Sequence, residues 1–145
     1  MVIHSNLLSF VVIYCLTNGG SIMKLEELQV YQLSMEISEK FWNIIIHWNY
    51  FEKDTIGKQF IKAADSMAAN LSEGFGRYFY KENRQFCYYS RGSLFETKTW
   101  LRKTFNRKLI EEEDYLLFVN ELETIGVKLN NYIKTIGKFS DSKSN

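Results

Sequence analysis

Apolar residues recur every three or four positions in four long segments of this 145-residue chain, and this spacing constrains the fold more than any other feature. Such spacing places apolar side chains along one side of an α-helix. In the last segment it runs without a gap from Tyr115 to Ile136. Proline, which breaks helix interiors, is absent from the entire chain. The sequence therefore predicts four long helices.

The first two segments predict helices with definite ends. An apolar stripe over residues 30–48 marks the first helix, and Trp42 widens its buried side. Asp54 is the predicted N-cap of the second helix. We expect that helix to end at Gly74 and Gly76, because two glycines within three residues favour a chain reversal.

The third and fourth segments complete a bundle. The fourth helix is predicted to begin at the acidic run Glu111–Asp114, whose carboxylates favour the positive end of the helix dipole, and to close at Gly137. Four helices joined by short loops predict an all-α fold, an antiparallel up-down four-helix bundle. The third helix is predicted over about residues 81–107, and its core side consists of Phe86, Ser90, Leu94, Thr97 and Leu101.

The first 22 residues contain no Lys, Arg, Asp or Glu. Their apolar run over residues 7–16 is too short to span a bilayer, which takes about 20 residues, and it lacks the basic stretch that precedes a signal sequence. We interpret residues 1–22 as a non-native or disordered extension and Met23 as the natural start, with an export signal or an ordered extra segment as the alternatives. The predicted bundle domain is 23–139, and residues 140–145 form a flexible tail.

Residues that carry catalytic or metal chemistry are sparse. Cys15 and Cys87 are too few for a disulfide framework, so we expect both to be reduced and Cys87 to be a buried apolar residue. Neither His4 nor His47 has a Glu three positions before it, as a di-iron bundle requires. Phosphate-binding and dinucleotide loops are absent. The sequence predicts no enzyme, no catalytic residue, no metal, no cofactor and no small-molecule substrate.

Positive charge is concentrated on the third predicted helix, although 18 Lys and Arg nearly balance 17 Asp and Glu in the chain. Residues 81–108 contain eight basic and only two acidic side chains. One side of this helix alternates basic and aromatic residues, which can hold a phosphate backbone and stack unpaired bases. The candidate residues for RNA or DNA binding are Arg77, Lys81, Arg84, Arg91, Lys98 and Arg102.

The same side of the third helix is also a candidate contact between copies of the chain. Tyr88 and Phe95 are large and lie outside the predicted core, as in surfaces that oligomers bury. Gly92 costs about 1 kcal/mol relative to alanine inside a helix, which suggests that another helix approaches it, within the bundle or between subunits. Subunit contact, nucleic-acid contact and plain solvated surface all remain open, and the first two are compatible.

Four polar residues lie near the predicted contact of the second and third helices. A buried polar group usually belongs to a satisfied network that fixes helix register, and we expect that role here rather than catalysis. The residues are Asn70, Glu73, Ser93 and Glu96.

Two motifs resemble the bacterial four helix bundle family, whose members include proteins encoded in 23S rRNA intervening sequences. The segment Ser66–Arg77 resembles the family signature Ser-x-x-x-Asn-Ile-Ala-Glu-Gly, and Ser90–Glu96 resembles its second motif, Ala-Arg-Gly-Ser-x-x-Glu. Leu28–Gln32 resembles the family's opening Leu-x-Val-Trp-x. The resemblance extends from about Leu25 to Gly137, and it supports Met23 as the start.

The resemblance implies an up-down four-helix bundle that assembles as a ring, typically a homopentamer. Related accessory proteins of diversity-generating retroelements are basic pentamers that bind nucleic acid and a reverse transcriptase. We therefore expect a cytoplasmic homo-oligomer without membrane contact, with RNA or DNA as a candidate partner. A purely structural or protein-interaction scaffold is the alternative. Phe79 departs from the family pattern, because a Ser or Thr helix cap is common at that position.

Overall fold

The computed structural model describes residues 23–137, which form four long α-helices. Each helix packs against the next along the chain, and the fourth packs against the first. The predicted all-α, antiparallel up-down four-helix bundle is therefore confirmed. The helices are α1 Gln29–Ile45, α2 Lys58–Phe75, α3 Tyr80–Asn106 and α4 Glu112–Thr135.

Three phenylalanines from three helices meet in the core. The ring centroid of Phe41 lies 4.5 Å from that of Phe60 and 4.9 Å from that of Phe118. All three side chains are buried, as the helical spacing predicts. A fully buried side chain of this size stabilises the fold by roughly 1.5–3 kcal/mol.

The buried side of α1 is narrower than the sequence predicted. Trp42 is 52% exposed, whereas the small Ser34 and Ser38 are buried. The hydroxyls of Ser34 and Ser38 donate within the helix to the backbone oxygens of Val30 and Met35, at 2.7 and 3.0 Å, which satisfies them in their buried positions. Trp42 lines an apolar groove of about 390 Å³ together with Ile46, just beyond the end of α1.

The predicted N-cap at Asp54 is wrong, because the helical segment begins earlier. The side chain of Asn49 accepts a hydrogen bond from the backbone N–H of Glu52 at 2.9 Å and caps a short helix at Tyr50–Glu52. A π-helical turn, Lys53–Gly57, then leads into α2. Asp54 lies inside that turn and forms an ion pair with Lys58.

The glycine pair ends α2 as predicted, but its two members act differently. Gly76 follows the last helical residue and caps the helix. Gly74 is buried inside α2, where an added Cβ would lie 2.8 Å from the Cβ of Phe86 and 2.9 Å from Oδ1 of Asn83. Gly74 is therefore required by the close approach of α3, not by the turn.

The core side of α3 differs from the prediction at its start. Phe86 is only half-buried, and Asn83 and Cys87 are buried in its place. Asn83 and the Cβ of Phe86 both approach Gly74, and Asn83 rather than the phenyl ring takes the buried position. Cys87 is completely buried, as predicted. Phe79 occupies the N-cap position of α3 and makes no side-chain capping hydrogen bond.

The fourth helix ends as the sequence predicts. Gly137 has a φ of 82°, a left-handed conformation in which a side chain would be strained. The predicted extension over residues 1–22 and the predicted tail over residues 140–145 lie outside the described residues. Within residues 23–137, no helix is both long and apolar enough to cross a bilayer.

Candidate nucleic-acid interface

Four of the six candidate nucleic-acid residues lie along the side of α3 that faces α4. They run from Arg84 to Arg102, a length of about 27 Å at 1.5 Å per residue. Lys81 is exposed one turn earlier, while Arg77 precedes the helix. The structure thus places most of the predicted basic residues on one helix, but their surroundings differ.

Three of these cations contact α4. Nζ of Lys98 lies 2.8 Å from Oε1 of Glu123, and the two side chains form an ion pair. Nη1 of Arg102 donates to the hydroxyl of Tyr115 at 3.0 Å. Nη1 of Arg91 makes a longer contact, 3.5 Å, with Oδ1 of Asn130. Part of the positive charge predicted for this side is therefore neutralised by the protein itself.

Two aromatic rings on this side of α3 make cation–π contacts with the neighbouring basic side chains. Cζ of Arg91 lies 5.1 Å from the ring centroid of Tyr88, and Nζ of Lys98 lies 5.2 Å from that of Phe95. Tyr88 is 41% exposed and Phe95 60% exposed, so much of each ring faces solvent. We call this surface the α3 cation–aromatic face and define it as Tyr88, Arg91, Phe95, Lys98 and Arg102.

Arg77 and Arg84 do not belong to this face. Arg77 forms an ion pair with Glu73 and lies over the ring of Phe86, on the α2 side of α3. Arg84 is half-buried against Gly137 at the end of α4. Its Nε is buried and has no hydrogen-bond partner among the described residues. Both positions restrict contact with a nucleic-acid backbone.

The four polar residues predicted to form a network do not join one another. Asn70 donates to the backbone of Ser66 at 2.9 Å, and Glu96 accepts from the indole of Trp100 at 3.3 Å. Glu73 pairs with Arg77, and the backbone oxygen of Ser93 accepts from the hydroxyl of Thr97. Each of these contacts stays within one helix or its immediate end. The predicted interhelical network among these four residues is therefore not formed.

Helix register is fixed instead by residues that the sequence did not single out for this purpose. The buried hydroxyl of Ser90 donates to the backbone oxygen of Met67 at 2.8 Å, from α3 to α2. Nδ2 of Asn83 lies 3.4 Å from the hydroxyl of Tyr132, from α3 to α4. Ser90 occupies the alanine position of the family's second motif, and an alanine there could not make this bond.

Gly92 lies on the exposed outer side of α3. No atom comes within 4 Å of the Cβ that a larger residue would add. The expected close approach within the bundle is therefore wrong, because residue 92 points away from both neighbouring helices. A contact between subunits at Gly92, beside the exposed Tyr88 and Phe95, stays a prediction.

The comparison with known families matches the chain over residues 26–131 to the 23S rRNA-intervening sequence protein model. The chain belongs to this family. The resemblance deduced from the two motifs is thereby confirmed, and the matched range covers α1 to α3 and most of α4. No curated protein matches the chain.

A second group of cations within the matched range was missed by the sequence analysis. Lys103 and Arg107 lie at the end of α3 on the side that faces α2, beside Trp100. They line a groove of about 330 Å³. The signal was present as Trp, Lys and Arg at positions i, i+3 and i+7, which share one side of a helix.

The described part of the chain brings no metal ligands together. Within residues 23–137, no group of three or more His, Cys, Asp or Glu side chains is arranged to hold a metal ion. His47 is exposed just after the end of α1. Burial raises the pKa of the Cys87 thiol from 9.0 to about 12, which favours the unreactive protonated form at neutral pH.

Proposed function

We propose that this protein is a non-enzymatic homo-oligomer, a ring of five copies, that binds RNA or DNA through the α3 cation–aromatic face. The observation that carries the proposal is the stacking of Arg91 and Lys98 on the exposed rings of Tyr88 and Phe95. The number five comes from the family resemblance. We place the protein in the cytoplasm, without membrane, metal, cofactor or small-molecule substrate.

The face combines the two contacts that single-stranded nucleic acid needs. Cations neutralise phosphates and release counterions, while aromatic rings stack on unpaired bases with little preference among them. Lys81, Arg91 and Arg102 are exposed and make no ion pair with a described residue, so they are the first phosphate contacts we propose. Lys98 contributes less, because Glu123 already neutralises it.

The proposed subunit contact centres on Gly92. A glycine inside an exposed helix lowers stability by about 1 kcal/mol relative to alanine, and nothing within the chain packs against it. The neighbouring rings of Tyr88, Tyr89 and Phe95 are 41–60% exposed. A helix of a second copy that crossed α3 at Gly92 would cover the edges of these rings nearest Gly92, while the remaining ring surface and the cations towards α4 would border the contact and stay open to nucleic acid.

A protein-interaction scaffold without nucleic-acid binding is the second candidate. The ion pairs Lys98–Glu123 and Arg77–Glu73 favour it, because they neutralise two of the six candidate cations within the chain. Under this alternative the exposed rings of Tyr88 and Phe95 form only protein–protein contacts.

Fluorescence anisotropy with a labelled single-stranded RNA separates the two candidates. We expect binding that weakens between about 50 and 200 mM salt, with a log–log slope near −2 for about three phosphate contacts. Arg91→Glu with Arg102→Glu should weaken binding by about 25-fold, since each lost contact is worth about fivefold at 0.1 M salt. The matched control is Lys24→Glu with Lys134→Glu, which changes the net charge equally at exposed positions outside α3.

Light scattering on the same samples reports the oligomer. We expect the Arg91→Glu and Arg102→Glu protein to keep the assembly of the unmodified protein. If RNA, structured RNA and duplex DNA all fail to bind at low salt, nucleic-acid binding is excluded and the scaffold remains. A strict monomer at tens of micromolar would rule out the ring.

A further inference from the structure

A groove between the start of α2 and the end of α3 has no role in the function proposed above. It has a volume of about 330 Å³, which lies at the lower end of the range typical of small-molecule sites. We call it the α2–α3 groove. The residues that line it include Asp54, Thr55, Gln59, Trp100, Lys103 and Arg107.

The aromatic wall of the groove is Trp100, whose orientation is supported by a hydrogen bond within α3. Trp100 is half-buried, and its indole N–H donates to Oε1 of Glu96 at 3.3 Å. Nζ of Lys103 lies 5.2 Å from the centroid of the ring. A fixed indole plane with a flexible lysine over it resembles a stacking platform in its ligand-free form.

The cations of the groove are available to a ligand. Lys103 and Arg107 are exposed, and neither forms an ion pair with any residue between 23 and 137. Lys98, one turn away on the opposite side of α3, is neutralised by Glu123. On the α2 side, neither groove cation is thus paired with a described residue, whereas on the α4 side Lys98 is compensated and Arg102 donates to the neutral hydroxyl of Tyr115.

The polar side of the groove comes from an irregular helical turn. The π-helical turn Lys53–Gly57 contributes Asp54 and Thr55, and such turns occur often at functional sites. Gln59 follows one turn later with an amide that can both donate and accept hydrogen bonds. Asp54 is held by Lys58, which limits its repulsion of an anion in the groove.

We propose that the α2–α3 groove binds one nucleotide, with its base stacked on Trp100 and its phosphate between Lys103 and Arg107. Lys103 swings from the indole face to the phosphate as the base arrives, and the amide of Gln59 meets the polar edge of the base. The ligand chemistry is an unpaired base that carries a phosphate, either free or within a strand. This site deepens the proposed function. It depends on that function only where the nucleotide is part of a bound strand; a free nucleotide would bind independently of it.

Tryptophan fluorescence tests the site without any labelled strand. Adenosine 5′-monophosphate should quench the emission and saturate, adenosine should bind at least tenfold more weakly, and inorganic phosphate should compete without quenching. A single-stranded DNA decamer should quench as well if a strand is the source. Trp100→Phe should remove the quench, because Trp42 and Trp48 lie outside the groove.

Lys103→Glu with Arg107→Glu should weaken adenosine 5′-monophosphate binding at least tenfold. The milder pair Lys103→Gln with Arg107→Gln should weaken it about threefold, and circular dichroism should show both variants folded. The control is again Lys24→Glu with Lys134→Glu. Equal affinity in the groove variants and the control, or no quench in the unmodified protein, would overturn the nucleotide site.

The same variants keep this proposal distinct from the proposed function. In one outcome, Arg91→Glu with Arg102→Glu abolishes RNA binding, while the groove variants bind both the strand and the mononucleotide as the unmodified protein does. The groove proposal then fails and the proposed function stands. If the groove variants lose the mononucleotide while Arg91→Glu with Arg102→Glu binds the strand normally, the groove is supported and the cation–aromatic face fails.

Discussion

The two sides of α3 are built differently, although both belong to one helix. Towards α2 the contact is close: Gly74 admits the side chain of Phe86, and Ser90 donates to the backbone of Met67. Towards α4 the contact includes long polar side chains at the surface, such as the ion pair of Lys98 with Glu123. Close backbones leave little room for charges between them, whereas long side chains reach across and pair.

This difference decides which cations are available to a ligand. On the α4 side, Lys98 is neutralised by Glu123, whereas Arg102 donates to the hydroxyl of Tyr115 and keeps its charge. On the α2 side, Lys103 and Arg107 lie beyond the tight contact, where α2 begins with its π-helical turn, and have no ion-pair partner among the described residues. A count of the basic residues on the α4 side of α3 therefore overstates the available charge at Lys98 and leaves out Lys103 and Arg107 on the α2 side.

The tight side should respond most strongly to added volume. Gly74→Ala should lower the free energy of unfolding by about 3 kcal/mol, since its Cβ would lie within 3.0 Å of side-chain and backbone atoms of Asn83 and Phe86. Gly92→Ala is the matched control and should raise the stability of the isolated subunit by about 0.5–1 kcal/mol, measured below the concentration at which copies assemble, because nothing within the chain lies within 4 Å of its Cβ. Urea unfolding measures both changes. Similar effects at the two glycines would contradict the difference between the sides.

The buried thiol on the tight side predicts a pH effect. Burial raises the pKa of Cys87 to about 12, whereas the unfolded thiol titrates near 9.0. The unfolded state then loses its proton first as the pH rises, so this contribution to stability is intact below pH 9 and declines above it. At pH 10 the loss is on the order of 1 kcal/mol.

The measurement compares Cys15→Ser with Cys15→Ser plus Cys87→Ala in urea between pH 7 and pH 10. The difference in stability between the two proteins should narrow by an amount on the order of 1 kcal/mol over that range. A constant difference would mean that the Cys87 thiol ionises as readily in the folded protein as in the unfolded one.

The smallest expected effects compare one bond from each side. Ser90→Ala removes a buried hydrogen bond to α2 and should cost about 1 kcal/mol. Lys98→Gln removes an exposed ion pair to α4 and should cost about 0.5 kcal/mol or less. Thermal unfolding at low and high salt distinguishes them, because only the Lys98 effect should diminish with salt. A salt-dependent loss at Ser90 would be inconsistent with a buried neutral bond.

The sequence was sufficient to predict the four helices, because apolar residues spaced three or four apart mark the side of each helix that is buried. It was insufficient where the outcome depended on a neighbouring helix. Trp42 fits the helical stripe of α1, yet it is exposed in the bundle while Ser34 and Ser38 are buried. Asp54 resembles a cap, yet Asn49 begins the helix earlier with a better-placed side chain.

The candidate site was predicted only in part for the same reason. Spacing on α3 identified the cations beside Tyr88 and Phe95, but it could not show that Glu123 neutralises Lys98. Nor could it show that the side chain of Arg84 is packed against Gly137. The groove beside Trp100 requires the π-helical turn of α2 as its second wall, and no sequence pattern considered for α3 alone contains that turn.

Native mass spectrometry of the untagged protein with a 20-nucleotide single-stranded RNA tests the central claim most directly, because one spectrum reports both assembly and binding. The claim is that the bundle assembles through α3 and holds nucleic acid on the same helix. We expect one oligomeric species, of five copies, and the same species with the added mass of one or more RNA strands at low salt. A monomer without RNA at tens of micromolar would contradict both parts of the claim.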